Sequence, residues 1–254
     1  MWQLYNELIK EVPINITVDE VIYGPRFVMV RSGERIGVAM NTSGTSIAPI
    51  IKESPIGKSL KEVAAAIKSW NLSEASMGAA ALNLYYNDNK KIENLINENR
   101  ELRFLDNKDT FVAYENKVKD KKVAIIGHFR NISNFTDKVK ELYIIEKNPK
   151  EGDYPESACE YILPFMDYVF ITGSTIINKT LPRLLELSSN AKVILVGPTT
   201  PMTPILFKYG VTELSGAVIT DTLKCSEIIK ECKYSPLVEC GKEIRIEKIL
   251  GGKL

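Results

Sequence analysis

The 254-residue chain has little of what marks the specialised classes of protein. No run of about 18 apolar residues occurs, so no membrane span is expected. The start, 1–10, has no basic flank before an apolar stretch, so the pattern of a signal peptide is missing and a cytoplasmic protein is expected. Net charge is only +1, with acids and bases mixed along the chain, whereas a nucleic-acid surface needs a basic stripe. The four cysteines include no C-x-x-C pair, which argues against a disulfide scaffold or a redox motif. Cys225, Cys232 and Cys240 do cluster near the end; a soft-metal site there is the less favoured reading against buried, reduced thiols. A single histidine, His128, rules out H-E-x-x-H zinc enzymes and three-histidine metal sites. There is no G-x-x-x-x-G-K-[ST] loop and no G-x-S-x-G elbow, so neither P-loop hydrolysis nor an α/β-hydrolase triad is supported.

What is present falls into two grammars. From residue 122 onward, apolar runs at 122–127, 142–146, 167–173, 192–197 and 214–220 alternate with helical segments, clearest at 178–188 and 222–231. The runs are continuous and not alternating, as expected of parallel strands buried on both faces. The spacing of about 20 to 25 residues suits short βαβ crossovers. The first half reads as a helix over 1–10, then strands at 15–23, 26–31 and 35–40, the last two joined by a tight Ser32-Gly33-Glu34 turn. Helices follow at 59–70 and 73–87, each opened by a serine with a glutamate about three residues on. Strands first and helices afterwards is α+β order. The expectation is an α/β protein: a smaller α+β domain at 1–115, a charged linker at 115–121, and a Rossmann-like parallel-sheet domain at 122–254.

Every strand of the second half ends in polar or glycine residues, and parallel strands put those ends on one edge, the usual ligand position of such sheets. The ends carry Gly127 and His128; Glu146; Gly173, Ser174 and Thr175, with Asn178 just beyond; Gly197, Pro198, Thr199 and Thr200; and Asp221. Prolines at 198, 201 and 204 stiffen the fourth of these loops. Turn and cap duty explains any one of them, but the five together favour a binding edge. Thr42, in the polar loop 41–45, is placed to close the site from the first half. The 127–132 turn keeps one glycine of a dinucleotide fingerprint, and Glu146 stands where a ribose-binding acid would be; this falls short of conventional NAD binding. His128, which can titrate near neutral pH, is a candidate general acid or base. The small-residue helix around Ala79-Ala80-Ala81 allows close packing, and Asn83 within it needs hydrogen-bond partners if buried.

The stretches Gly78–Asn83, Gly127-His128-Phe129, Ile171–Leu181, Leu195–Pro204 and Gly216–Asp221 together resemble the "putative heavy-metal chelation" family over nearly the whole chain. The resemblance implies an enolase N-terminal-like domain followed by a Rossmann-like domain, with a ligand site between them. Enolase chemistry does not transfer with the first domain, since enolase's metal ligands belong to a barrel absent here. The leading expectation is binding of a small polar or anionic ligand, a metal ion or metal–chelator complex included, with no nucleic-acid or membrane partner and a homo-oligomer allowed. The alternatives are an enzyme acting on that ligand through His128, with the Thr199/Thr200 loop as donor set, and a pure interaction module.

Overall fold

The five apolar runs form the centre of an eight-stranded sheet, because residues apolar on both faces can be satisfied only by layers on both sides. A computed structural model of the chain describes residues 2–44, 47–105, 108–129, 132–231 and 237–249. In chain order it contains α1 (Gln3–Lys10), β1 (Glu20–Tyr23), β2 (Phe27–Ser32), β3 (Arg35–Met40), α2 (Leu60–Ala65), α3 (Leu72–Tyr86), α4 (Asn89–Glu98), β4 (Leu102–Phe104) and α5 (Thr110–Tyr114). There follow β5 (Lys122–Ile126), α6 (Ser133–Thr136), β6 (Glu141–Glu146), β7 (Tyr154–Pro155), α7 (Cys159–Ile162), β8 (Tyr168–Thr172) and α8 (Leu181–Leu187). The last elements are β9 (Lys192–Val196), β10 (Glu213–Ile219), α9 (Thr222–Lys230) and β11 (Gly241–Lys248).

The large sheet runs β4-β11-β10-β9-β8-β5-β6-β7. β5 to β10 are mutually parallel, and β11 returns antiparallel beside β10 with β4 beyond it. Counted from β5, the parallel strands lie in the order 3-2-1-4-5-6, so the winding reverses between β5 and β8. Apolar layers cover both faces: one includes Leu184 of α8, Leu206 and α3, the other Phe111, Tyr114, Phe135 and Phe170. The fold is therefore mixed α/β, with a large parallel-rich sheet and the small antiparallel sheet β1-β2-β3.

Three strands lie outside the runs read from the sequence: β4, the two-residue β7, and β11. β4 precedes the charged stretch 115–121 yet hydrogen-bonds into the large sheet, and Val118 within that stretch is buried in the core. One helix start also differs. Ser59 caps α2 with a full capping box to Glu62, as expected, but α3 is capped by Asn71 and not by Ser73.

The small residues of α3 act as anticipated. Helix and sheet approach so closely that a Cβ on Gly37 of β3 would stand 2.0 Å from the Ala80 carbonyl oxygen. A Cβ on Gly78 would stand 2.1 Å from the Ile67 nitrogen. Only glycine permits either contact. Asn83 is buried on this helix and donates to Val38 O at 2.8 Å and to Pro198 O at 3.1 Å, joining the small sheet to the loop after β9.

Candidate ligand site at the carboxyl edge of the parallel strands

Two strand ends turn on glycines in the left-handed region, Gly127 (φ 104°) after β5 and Gly197 (φ 109°) after β9, where other residues would be strained. The first turn presents His128 on the edge. Its backbone N–H donates to Glu146 Oε1 at 3.1 Å, and its ring Nε2 lies 2.7 Å from Asp153 Oδ2. The backbone N–H of Lys150, 2.8 Å away, and then the His128 ring hold the Asp153 carboxyl below the ordinary carboxylate value. An ionised carboxylate can only accept, so a ring proton sits on Nε2, and in the neutral ring Nδ1 is the acceptor nitrogen. Asp153 carries no strand-end signal in the sequence. It follows Gly152 (φ 90°) in a loop, and only that glycine hinted at a turn.

His128 forms part of the wall of two cavities. The first, about 260 Å³, lies over the ends of β9 and β10 and is bounded by Phe111, Phe129, Gly197, Pro198 and Ser215, with Arg26 and Phe27 from the first half of the chain. Asp109, Lys242 and Glu243 add charge of both signs. Within this wall Ser215 Oγ donates to Glu243 Oε1 at 2.7 Å, and Thr110 Oγ1 lies 2.9 Å from Ser215 Oγ. Behind it, fully buried, Arg245 pairs with Glu213 at 2.7 Å and Tyr114 donates to the same carboxylate at 2.6 Å. Burial, followed by the adjacent Glu213 charge, raises the Tyr114 phenol above its ordinary value. The second cavity, about 250 Å³, lies over β5, β6 and β8 and is bounded by Gly127, Glu146, Thr172, Ser174, Thr175 and Asn178, with Cys159 and Leu184 beneath.

The residues expected at the site are thus divided. Gly127, His128, Glu146, Ser174, Thr175 and Asn178 share the second cavity; Gly197 and Pro198 join His128 at the first. Gly173 is buried against Thr200, where a Cβ would meet the Thr200 nitrogen at 2.7 Å. Thr199 and Thr200 are 1% and 0% exposed. Met40 N donates to Thr199 Oγ1 at 2.9 Å, and Asn87 Nδ2 donates to Thr200 O at 3.0 Å, so this loop is occupied in holding the two halves of the chain together. Thr42 N donates to Ser76 Oγ, and Thr42 borders neither cavity. Asp221 caps α9 by accepting from Lys224 N at 2.9 Å. Four strand spacings of about 4.8 Å, roughly 19 Å, separate the β10 end that carries it from Glu146 on β6.

Past β8, Lys179 adopts a left-handed backbone (φ 67°) and sends its ammonium back to Ile177 O at 2.7 Å and to Ser69 O. Burial pushes its pKa down to about 8. This is a further tie between the halves, beside Asn83 and Asn87.

The donor set of the described residues does not fit a metal held by the protein alone. Among the described residues no three histidine, cysteine, aspartate or glutamate side chains gather into a ligand set. Cys225 and Cys240 are buried in contact with one another. Cys232, the third member of the C-terminal group, lies outside the described residues.

A parallel-rich sheet with cavities at its carboxyl edge, capped by a small antiparallel sheet and α3, defines the class: a two-sheet α/β protein with cavities where such sheets hold their ligands. Residues 109–246 match the DUF364 family and residues 5–86 the DUF4213 family, both described as "Putative heavy-metal chelation". The chain belongs to this family, whose description supports ligand or metal binding in general terms. It is 30% identical over 197 residues to an uncharacterized protein of Methanocaldococcus jannaschii, covering 73% of this chain and 70% of that one. A DUF364 crystal structure from Desulfitobacterium hafniense, of unknown function, is 38% identical with a TM-score of 0.87, over 98% of this chain and 99% of that one. Another, from Pyrococcus horikoshii and also of unknown function, shares the fold at 23% identity and a TM-score of 0.79, over 96% and 98% of the two chains. No helix among the described residues is long and apolar enough to cross a membrane.

Proposed function

We propose that the protein binds a small polar or anionic ligand in an interdomain cleft, between an enolase N-terminal-like domain at 1–115 and a Rossmann-like domain at 122–254. The observation that carries this reading is the 260 Å³ cavity in which Arg26 and Phe27 face His128, Phe129 and Lys242. Two cations, the Asp109 and Glu243 carboxylates and three phenylalanine rings suit a zwitterion with an apolar body. An aminocarboxylate chelator has that chemistry, and a metal would then arrive as cargo on the chelator's own donors. Native mass spectrometry of freshly purified protein, with elemental analysis of the same sample, tests it. A small molecule retained near one per chain, and lost in His128→Ala and Lys242→Ala, is the expected result. Retention unchanged in both variants would put the ligand elsewhere.

One observation favours an enzymatic second reading: Asp153 holds the His128 imidazole through Nε2 and leaves Nδ1 as the nitrogen that can take a proton, which is the arrangement of a general base. Turnover of the retained ligand with a bell-shaped pH profile that loses one limb in His128→Ala would support it. Unchanged turnover in that variant would dispose of it.

A further inference from the structure

The 250 Å³ cavity is a separate compartment over a different part of the sheet, and it shares only His128 with the cleft. It lies over the first, second and fourth parallel strands, beside the point where the winding reverses, with Glu146 at the end of its second strand and Lys147 and Glu156 also on its wall. Both carboxylate oxygens of Glu146 are fixed by backbone donors, Oε1 by His128 N at 3.1 Å and Oε2 by Lys147 N at 2.9 Å. Each oxygen keeps a second lone pair, so the group can accept two further hydrogen bonds from a pair of donors at fixed spacing. Thr175 and Asn178 add polar groups on the opposite wall, and Ile126, Ile145 and Leu184 add apolar surface.

We infer that this cavity binds a ribonucleoside moiety, with the two ribose hydroxyls donating to Glu146 and the base lying on the apolar wall. A vicinal diol is the donor pair that a pre-aligned carboxylate selects, and an acid at the end of the second strand is where parallel sheets with this strand order hold a ribose. The compartment does not accommodate a dinucleotide. Its volume, about 250 Å³, stands at the small end of the range for ligand pockets and suits one nucleoside, not two joined nucleotides. The helix after β5 is one turn long, and of the glycine fingerprint only Gly127 is present, so the pyrophosphate has no seat. The ligand is a nucleoside or a nucleoside conjugate that projects from the edge.

Isothermal titration of the full chain with the four ribonucleosides and their 2′-deoxy counterparts tests this. At least one ribonucleoside binds saturably near one per chain, and its 2′-deoxy form binds at least tenfold more weakly, about 1.4 kcal/mol. Glu146→Gln weakens the ribonucleoside by a similar factor and leaves the 2′-deoxy form almost unaffected. Ser174→Phe, which fills the cavity, abolishes binding, while Lys242→Ala in the other cavity leaves it intact. No saturable binding of any ribonucleoside at millimolar concentration overturns the inference, as does equal binding of the 2′-deoxy form; neither result depends on a variant folding. Because the cleft is read out by a retained ligand that needs Lys242, loss of either reading leaves the other standing.

Discussion

Asn87 is the residue whose removal tests the architecture of the site most directly. It closes α3 at 6% exposure and spends its whole amide on the second half of the chain. Nδ2 donates to Thr200 O and Ala217 O, both at 3.0 Å, and Oδ1 accepts from Met202 N at 2.9 Å. Three hydrogen bonds at a net of roughly 1 kcal/mol each give about 3 kcal/mol as the cost of Asn87→Ala. Thr200 and Met202 are 0% and 2% exposed, so water cannot replace the lost partner, and the stranded Met202 N–H adds about 1–3 kcal/mol more. The expected loss is about 4–6 kcal/mol. With a urea slope near 3 kcal/mol/M, the unfolding midpoint followed by circular dichroism falls by about 1 M or more. Asn87→Asp should be no milder, because one carboxylate oxygen then faces two carbonyl oxygens. A midpoint shift below about 0.3 M for Asn87→Ala, roughly 1 kcal/mol on the same slope, would refute the claim that this amide clamps the loop forming the wall of the 260 Å³ cavity.

Gly37→Ala places a methyl 2.0 Å from a helix carbonyl oxygen, where backbone and not a flexible side chain must yield. A loss of about 3 kcal/mol or more, read by thermal unfolding, is expected, and a neutral result would mean that α3 and β3 are further apart. The carboxyls of Asp153, Glu20, Glu141 and Glu160 are all held below their ordinary values, Asp153 first by Lys150 N–H and Glu20 first by Lys230. Depressed carboxyl pKa values stabilise the fold fully above the unfolded value of about 4, and that stabilisation fades as pH drops through the folded values. The thermal midpoint should therefore hold from neutrality to about pH 5 and fall below about pH 4; a midpoint that rose on acidification would reverse the sign.

The five central strands were legible because burial on both faces leaves an unbroken apolar run, and the α2 start because a capping box is local chemistry. β11 was not legible for a physical reason. Its sequence Gly-Lys-Glu-Ile-Arg-Ile-Glu-Lys alternates charge with isoleucine, the pattern of a strand with one wet face. Its charged face is in fact turned inward, where Arg245 meets Glu213 and Glu243 meets Ser215 and Thr110. Those partners come from 28 to 133 residues away, beyond any local pattern. The same distance hid the use of the Thr199-Thr200 loop. Its stiffness could be read from its prolines, but the asparagines that receive it lie more than 110 residues earlier. His128 was visible as an imidazole at a strand end, whereas Asp153 beside it depends on a loop 25 residues on.

The Glu213–Arg245 pair deserves a test of its own, since it lies directly behind the wall of the 260 Å³ cavity. Both side chains are almost fully buried, at 0% and 1% exposure, and the Tyr114 hydroxyl takes a further lone pair of the carboxylate. A buried pair need not stabilise more than apolar residues of the same shape, but breaking it leaves a lone charge in a dry core. Arg245→Met should therefore cost about 3–5 kcal/mol, because Glu213 must then be protonated or the wall must open to water. Adding Glu213→Gln to that variant removes the stranded charge while leaving Tyr114 an acceptor, and much of the loss should be recovered. The unfolding midpoints of the two variants separate the possibilities. Equal losses would mean that Arg245 matters through its packing alone. Recovery in the double variant would show that charge compensation holds the sheet behind Ser215 and Glu243, and so keeps the wall of that cavity in place.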